Sequence, residues 1–322
     1  MDTLISVQMS LSQKSLNLID KITELLRPVG QVIPYGSQIS GTATTDSDID
    51  FALIVTDPSE VATRDIINRT VGILKKAKVT IVSVWDKAKA PLVRAAYQEQ
   101  TFDIIFNGGG GVVGTWLIQD LIRDNPIATK VIKTIKEWAK VNDVLGASQG
   151  RLGSHALTVF TLHYLMTVGI VGLAHLNNDA PGWAAAGELN QSASRRAYCH
   201  GPREDMWWIS KRRRTNRRFY PSYKHLVRGV LFRLDLALNT TSPQDRQIYS
   251  VTMRARIPVT EGKNVSNPPL LYIEDPISKQ NTASNLKPVP FNTLRTEVAK
   301  ALAYLRRKGT CTHHITEKAG TW

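Results

Sequence analysis

The sequence has few cysteines and no long apolar run, and these two shortages exclude several classes of protein. It contains 2 cysteines, Cys199 and Cys311, in 322 residues. Neither cysteine has a partner at metal-site spacing, and so few cannot form a disulfide scaffold. No run approaches the roughly 20 apolar residues that span a bilayer. We therefore expect an intracellular protein with no membrane partner, with the cytoplasm favoured and the nucleus and mitochondrion left open.

The amino terminus also lacks a recognisable targeting signal. The stretch Met1 to Ser6 carries an early acid, Asp2, and no basic segment followed by an apolar one. It is not rich in arginine, so a mitochondrial transit peptide is not evident either.

Acidic residues are the third shortage. There are 27 of them against 41 Lys and Arg, which gives a formal net charge of +14. Such an excess predicts a polyanionic partner. Aromatic residues flank the densest basic run, which comprises Lys211, Arg212, Arg213, Arg214, Arg217 and Arg218. Basic and aromatic side chains together suit RNA phosphates and bases, so we predict RNA contact here. A solvated loop and a localisation signal are the alternatives.

Two aspartates one residue apart are the most informative feature that is present. Asp48 and Asp50 open an apolar run that continues to Val55, ten residues after the pair Gly36-Ser37. Residues two apart in a strand point to the same face, so both carboxylates project together. Two such carboxylates repel each other unless a cation lies between them. Mg²⁺ prefers oxygen ligands and substrate phosphates, so the pattern indicates a metal-nucleotide site.

A third acid supports this interpretation. Asp103 lies in the middle of the apolar stretch Thr101 to Phe106. A charge among apolar neighbours is costly unless it is paired or bound to metal. Asp103 is therefore the expected third member of the carboxylate set.

The chain is predicted to be α/β (α+β) with two domains. A mixed-sheet domain covers residues 31–110 and ends in a possible hinge at Gly108 to Gly111. A mainly helical domain combines residues 1–30 and 111–322, with a basic insertion near 176–225. Strands are expected at 31–35, 48–55, 79–85, 92–97 and 101–106, and helices at 11–27, 58–77, 128–141, 154–167, 226–238 and 290–307.

The spacing of Gly-Ser, Asp-x-Asp and a later strand-borne Asp resembles the DNA polymerase beta-like nucleotidyltransferases. The resemblance implies that Asp48, Asp50 and Asp103 hold two metal ions, Mg²⁺ or Mn²⁺. Such ions sit roughly 3.5–4 Å apart and clamp the attacking and leaving oxygens.

The later motifs resemble the central domain of cytoplasmic-type poly(A) polymerases and terminal uridylyltransferases. They are 132–140, 150–157, 162–165 and 271–276. Lys136 and Lys140 share a helix face, which is ordinarily a solvated face but suits a shared anion. The resemblance implies that Ser37, Lys136, Lys140 and Ser154 hold a nucleoside triphosphate, beside Gly36, in a cleft between the two domains.

The choice of base depends on the loop Asp275 to Ser284. Uridylyltransferases typically carry His several residues after the Asp-Pro pair, where the adenylating relatives carry Asn. Asn281 stands at that place and favours ATP, because a smaller amide leaves room for a purine.

Two positions depart from the pattern of the family. Ser154-His155 replaces the usual Ser-Tyr, so base stacking would fall to the His155 imidazole. The family usually has Asn followed by Thr or Ser near the ribose 2′-hydroxyl, and here that place is Gly114-Thr115. Asn107 is the candidate to contact the ribose instead.

The resemblance implies a template-independent RNA nucleotidyltransferase. Its expected partners are an RNA 3′ end, ATP or UTP, and a protein that supplies RNA specificity. A terminal uridylyltransferase is the nearest alternative. An inactive RNA-binding scaffold fits less well, because a dead site needs no strand-borne acid. A small-substrate nucleotidyltransferase does not explain the basic charge.

Overall fold

The protein was analysed as a computed structural model, and it forms two compact units. One runs up to Asp120 and the other begins at Leu121. The described residues are 11–55, 64–88, 90–106, 108–123, 125–172, 222–240, 246–251, 257–258 and 269–307. Asn107 and the basic run 211–218 lie outside them. Among the helices in these ranges, none is long and apolar enough to cross a membrane.

A five-stranded mixed sheet forms the first unit. Its strands are β1 (Gln31–Tyr35), β2 (Ile49–Ile54), β3 (Thr80–Trp85), β4 (Leu92–Tyr97) and β5 (Gln100–Phe106). Their spatial order is β1-β2-β5-β4-β3, in which β2 and β5 are parallel and the other neighbours are antiparallel. The predicted mixed sheet is confirmed. Because β2 and β5 are neighbours, the two segments that carry the aspartates lie side by side.

The alternation of side chains gives the sheet two different faces. Phe51 and Phe102 point to one face, where their rings pack edge to face at 5.7 Å. Helices α1 (Gln13–Leu26) and α3 (Arg64–Lys76) contribute to the core on this face. Ala52 points to the other face, towards Val112 of helix α4 (Gly109–Ile122). A short helix, α2 (Ser37–Ser40), links β1 to the segment before β2.

Helix α1 belongs to the sheet unit, whereas the sequence analysis placed residues 1–30 with the helical domain. Its N-cap is Ser12, whose side chain accepts a hydrogen bond from the Ser15 backbone N–H. Leu18, Ile22 and Leu26 lie on one face and are at most 2% exposed. This apolar stripe packs in the same core cluster as the sheet, which explains the placement.

The glycine run, expected as a hinge, forms part of a helix in this structure. Gly109 to Gly111 form the first turn of α4. A Cβ added at Gly111 would lie 2.7 Å from the Tyr35 ring, so only glycine lets the helix approach this ring so closely. The glycines therefore serve packing, although glycine is a weak helix former.

Within its described residues, the second unit contains four α-helices and a small sheet. The helices are α5 (Pro126–Val141), α6 (Ser154–Thr167), α7 (Tyr223–Asn239) and α8 (Pro288–Arg307). The strands are β6 (Gln247–Ser250), β7 (Ile257–Pro258) and β8 (Tyr272–Glu274), in the order β7-β6-β8. The helices were expected from their periodicity. The small sheet was not, because its strands are too short to show alternation.

Candidate active site

The turn after β1 brings the backbone against Asp50. Gly36 has φ 83° and ψ −159°, a region that is essentially open to glycine alone. A Cβ on Gly36 would lie only 2.0 Å from Asp50 Oδ2. The Gly-Ser pair is therefore needed here for close approach, and Ser37 begins α2 directly beyond it.

Thr115 holds this turn in place. The Gly36 backbone N–H donates to Thr115 Oγ1 at 2.8 Å, and the Thr115 hydroxyl donates to the Gly111 carbonyl at 2.8 Å. In the sequence, Thr115 stands out only because the residue before it is Gly114 rather than Asn. Its contact joins residues 79 apart in the chain, so no local pattern could have indicated it.

The three aspartates lie on neighbouring strands. Asp50 and Asp103 are directly paired in the parallel register of β2 and β5, and Asp48 stands just before β2. The alternation that buries Phe51 turns these residues to the opposite face. Burial, followed by the charges of Asp50 and Asp103, raises the pKa of Tyr35 above its ordinary value. The face therefore carries concentrated negative charge.

Arg94 supplies a cation to this face and was missed by the sequence analysis. It stands opposite Asp103 in the antiparallel register of β4 and β5. Its Nε donates to Asp103 Oδ1 at 2.8 Å and its Nη2 to Asp103 Oδ2 at 2.7 Å. The same Nη2 lies 3.5 Å from Asp48 Oδ2. The hydrogen bond with Asp103 raises the pKa of Arg94, so the guanidinium stays charged.

The carboxylates suit a hard cation by chemistry but do not form a closed metal site as they stand. Carboxylate oxygens are the ligands that Mg²⁺ prefers. Yet among the described residues, no three His, Cys, Asp or Glu side chains are arranged to hold a metal ion. Asp103 is engaged by Arg94, and Asp48 Oδ1 accepts a hydrogen bond from the Thr101 hydroxyl. The donors are therefore present and adjacent, but turned to other partners.

The predicted triphosphate residues of the second unit lie on α5 and at the start of α6. Lys136 is buried, at 4% exposure, whereas Lys140 is exposed one turn later. Ser154 is the first residue of α6, and both it and His155 are exposed. Lys140, Ser154 and His155 are thus accessible to a ligand, while Lys136 sits within the unit.

His155 is held by the loop that follows β8. Its Nε2 lies 2.9 Å from Asp275 Oδ2, while Asp275 Oδ1 accepts from the backbone N–H groups of Ile277 and Ser278 at 2.9 and 2.7 Å. Burial alone would raise the pKa of Asp275. The hydrogen bond and charge of His155, with the two N–H groups, instead lower the pKa to about 2.

Replacing Asp275 by Asn should make stability depend less on pH. Asn keeps an oxygen for the two N–H groups and removes the charge that faces His155. A lowered carboxyl pKa contributes stability above the ordinary value of about 4, and this is lost as pH falls towards 2. We expect Asp275→Asn to lose about 2 kcal/mol of unfolding free energy at pH 5, a difference that shrinks towards pH 2. Denaturant unfolding across this range measures it, and a constant difference would contradict the assignment.

Asn281 is engaged within its own loop, and its expected base-reading role stays a prediction. Its Oδ1 accepts from the backbone N–H groups of Ile273 and Ala283 at 3.0 and 2.9 Å. Its Nδ2 donates to the Leu271 carbonyl at 2.9 Å. An amide oxygen has two lone pairs, and both are taken. Asn281 therefore fixes the loop that also carries Asp275.

Replacing Asn281 by Ala should destabilise this loop. Two backbone N–H groups and one carbonyl would lose their partners, which we expect to cost about 2 kcal/mol of unfolding free energy. Asn285→Ala is the matched control, because Asn285 is exposed and lies four residues further on. Its expected effect stays within about 0.5 kcal/mol. Equal effects of the two substitutions in denaturant unfolding would contradict the structural role of Asn281.

Comparison with known proteins agrees with this geometry. Residues 5–120 match the family model of the central palm domain of mitochondrial-like poly(A) RNA polymerase. The chain is 23% identical over 261 residues to poly(A) RNA polymerase GLD2 of Danio rerio, over 80% of this chain and 50% of that protein. The GLD2 of Bos taurus is 26% identical over 162 residues, or 45% of this chain and 32% of that protein. The chain thus spans half or less of the length of these relatives.

Solved structures show the same fold over nearly the whole chain. A His-to-Asn mutant of the Cid1 poly(U) polymerase bound to MgATP superposes with a TM-score of 0.70 at 16% identity, covering 98% of each chain. A cytoplasmic RNA terminal U-transferase gives a TM-score of 0.67 at 16% identity, covering 98% of this chain and 97% of that one. Residues 5–120 thus resemble the palm domain of poly(A) RNA polymerases, and the chain shares the fold of these transferase and polymerase structures.

Proposed function

We propose that this protein adds nucleotides to the 3′ end of RNA without a template. The observation that carries the proposal is the carboxylate set on β2 and β5, in which Asp50 and Asp103 stand opposite each other and Asp48 lies alongside. Similarity to poly(A) polymerases and to a poly(U) polymerase fold supports the same reaction class. The net charge of +14 suits an RNA substrate.

In the proposed reaction the RNA 3′ hydroxyl attacks the α-phosphate of a nucleoside triphosphate and pyrophosphate leaves. Two Mg²⁺ or Mn²⁺ ions held by Asp48, Asp50 and Asp103 would supply charge neutralisation at the attacking and leaving oxygens. Lys140 and Ser154 would bind the triphosphate, which leaves the protein with positioning and electrostatic work rather than covalent chemistry.

ATP is the proposed nucleotide. Relatives that match in sequence are named as poly(A) RNA polymerases. The loop Asp275 to Ser284 contains no histidine, the residue that the family's uridylyltransferases carry there. The Asn281 amide is engaged within the loop, so the proposal of ATP rests on the relatives and on the missing histidine rather than on a contact of this amide. UTP is the second candidate, favoured by the fold neighbours, which act as U-transferases or poly(U) polymerases by name.

Extension of a labelled RNA oligomer with each of the four nucleoside triphosphates separately tests this function. We expect a ladder with ATP in the presence of Mg²⁺ or Mn²⁺, and no ladder from Asp50→Asn. A ladder with UTP alone would replace ATP by UTP and leave the reaction class intact. No extension with any nucleotide or metal, together with retained RNA binding, would favour an inactive RNA-binding protein.

The basic run 211–218 stays a prediction as an RNA contact. Changing Arg212, Arg213, Arg214 and Arg217 to Gln should weaken RNA binding and flatten its salt dependence, because fewer counterions are released. Binding isotherms at several salt concentrations measure this. An unchanged slope would leave the run as a solvated loop or a localisation signal.

A further inference from the structure

Arg94 makes a contact set that a merely structural ion pair does not require. Its guanidinium forms a two-point hydrogen bond with Asp103 and reaches Asp48 with the same Nη2, at 2.7 and 3.5 Å. These two carboxylates come from different strands. The Arg94 and Asp48 side chains keep 39% and 35% exposure, whereas the Asp103 side chain keeps 12%. The guanidinium therefore lies at the accessible edge of the acid set.

Electrostatics explains why a cation is needed at this point. Asp48, Asp50 and Asp103 carry like charges on one face, and Asp103 is largely withdrawn from water. Like charges held so close, with one of them buried, repel each other and disfavour this arrangement of the strands. A fixed guanidinium removes that repulsion, and its planar fork orients both oxygens of Asp103.

We propose that Arg94 is a positioning residue that holds the metal ligands in the absence of metal and gives up Asp103 when a divalent cation binds. The inference rests on the proposed function only in taking these aspartates as the metal ligands. It accounts for why the described side chains do not yet form a three-ligand metal site. Arg94 and the cation compete for the same carboxylate oxygens.

Competition predicts the direction of the effect on metal affinity. Removing the guanidinium deletes the competitor and leaves one more negative charge for the metal. Arg94→Gln should therefore bind Mn²⁺ about tenfold more tightly than the unaltered chain, and Arg94→Lys should fall between them. An arginine that merely organises the ligands would give the opposite result, because its loss would disorder Asp103 and weaken binding.

The experiment is a titration of the full chain with Mn²⁺ alone, followed by electron paramagnetic resonance, without RNA or nucleotide. Arg69→Gln is the matched control, since it also removes one positive charge and its side chain is exposed, contacting the Pro28 carbonyl. Tighter binding by Arg94→Gln, with Arg69→Gln unchanged, supports the proposal. Equal or weaker binding by Arg94→Gln, or no Mn²⁺ binding by any variant, overturns it.

A second measurement on the unaltered protein avoids reliance on a variant that fails to fold. The Arg94 Nε–H, hydrogen bonded to Asp103, should give a protected signal in nitrogen-15 NMR, which Mg²⁺ abolishes at concentrations that displace Mn²⁺. Persistence of the signal at saturating Mg²⁺ would overturn the proposal that Asp103 leaves Arg94 for the metal ion. Neither measurement uses RNA, so failure of the RNA-extension assay would refute the proposed function without deciding the role of Arg94.

Discussion

Replacing Asp103 by Ala is expected to lower the rate of nucleotide addition by about a thousandfold, or roughly 4 kcal/mol of activation free energy. Asp103 stands opposite Asp50 in register and is bound at both oxygens by Arg94. Loss of this carboxylate removes one of the proposed metal ligands. It also removes the hydrogen-bond partner of Arg94, whose guanidinium then keeps its contact with Asp48. Single-turnover extension of labelled RNA at saturating nucleotide measures the change.

Asp86→Ala is the control for loss of an acid in the same unit. Asp86 pairs with Arg64 at 3.6 Å on the surface, and such pairs contribute little to stability. We expect it to extend RNA at nearly the unaltered rate. Circular dichroism should show both variants folded. An Asp103→Ala protein that extends RNA within a few fold of the unaltered rate would remove Asp103 from the catalytic set.

The strands of the first unit could be predicted because one physical pattern determines them. Phe51 and Phe102 had to face a core, and their neighbours Asp50 and Asp103 were then forced to the opposite face. The sequence did not indicate that Asp50 and Asp103 lie opposite each other, because this follows from the parallel pairing of β2 and β5.

Arg94 escaped prediction because its partner is set by strand order. A lone arginine in an apolar stretch could have been recognised as a counter-ion, but nothing local indicates which of many acids it meets. Thr115 escaped for the same reason, since its bond to Gly36 crosses 79 residues. Sequence patterns report periodicity well and tertiary pairing poorly.

Asn281 has a structural role that the family motif did not indicate. The Asp-Pro loop was recognised, but an Asn placed near a base in related proteins was taken to face the base. In the structure its amide closes hydrogen bonds to Leu271, Ile273 and Ala283. Short loops have many backbone groups without strand or helix partners, so a side-chain amide is often used to satisfy them.

Replacing Gly36 by Ala should reduce nucleotide addition by roughly 100-fold or more, because it displaces Asp50. The added Cβ would lie 2.0 Å from Asp50 Oδ2 and 2.9 Å from Asp50 Cγ. Either the carboxylate must rotate or the turn must move, and the turn is held by the bond from the Gly36 N–H to Thr115. The backbone at Gly36, at φ 83° and ψ −159°, adds strain for any side chain.

Gly41→Ala separates the loss of Asp50 geometry from backbone strain. Gly41 also has a positive φ, 78°, at the end of α2, but a Cβ there would meet nothing within 4 Å. Both substitutions should cost about 1 kcal/mol of unfolding free energy or more through backbone strain. Only Gly36→Ala should also lose activity in the RNA extension assay and lower the affinity for Mn²⁺. If Gly41→Ala lost activity to the same extent, strain in the turn rather than contact with Asp50 would be the reason that glycine is needed at position 36.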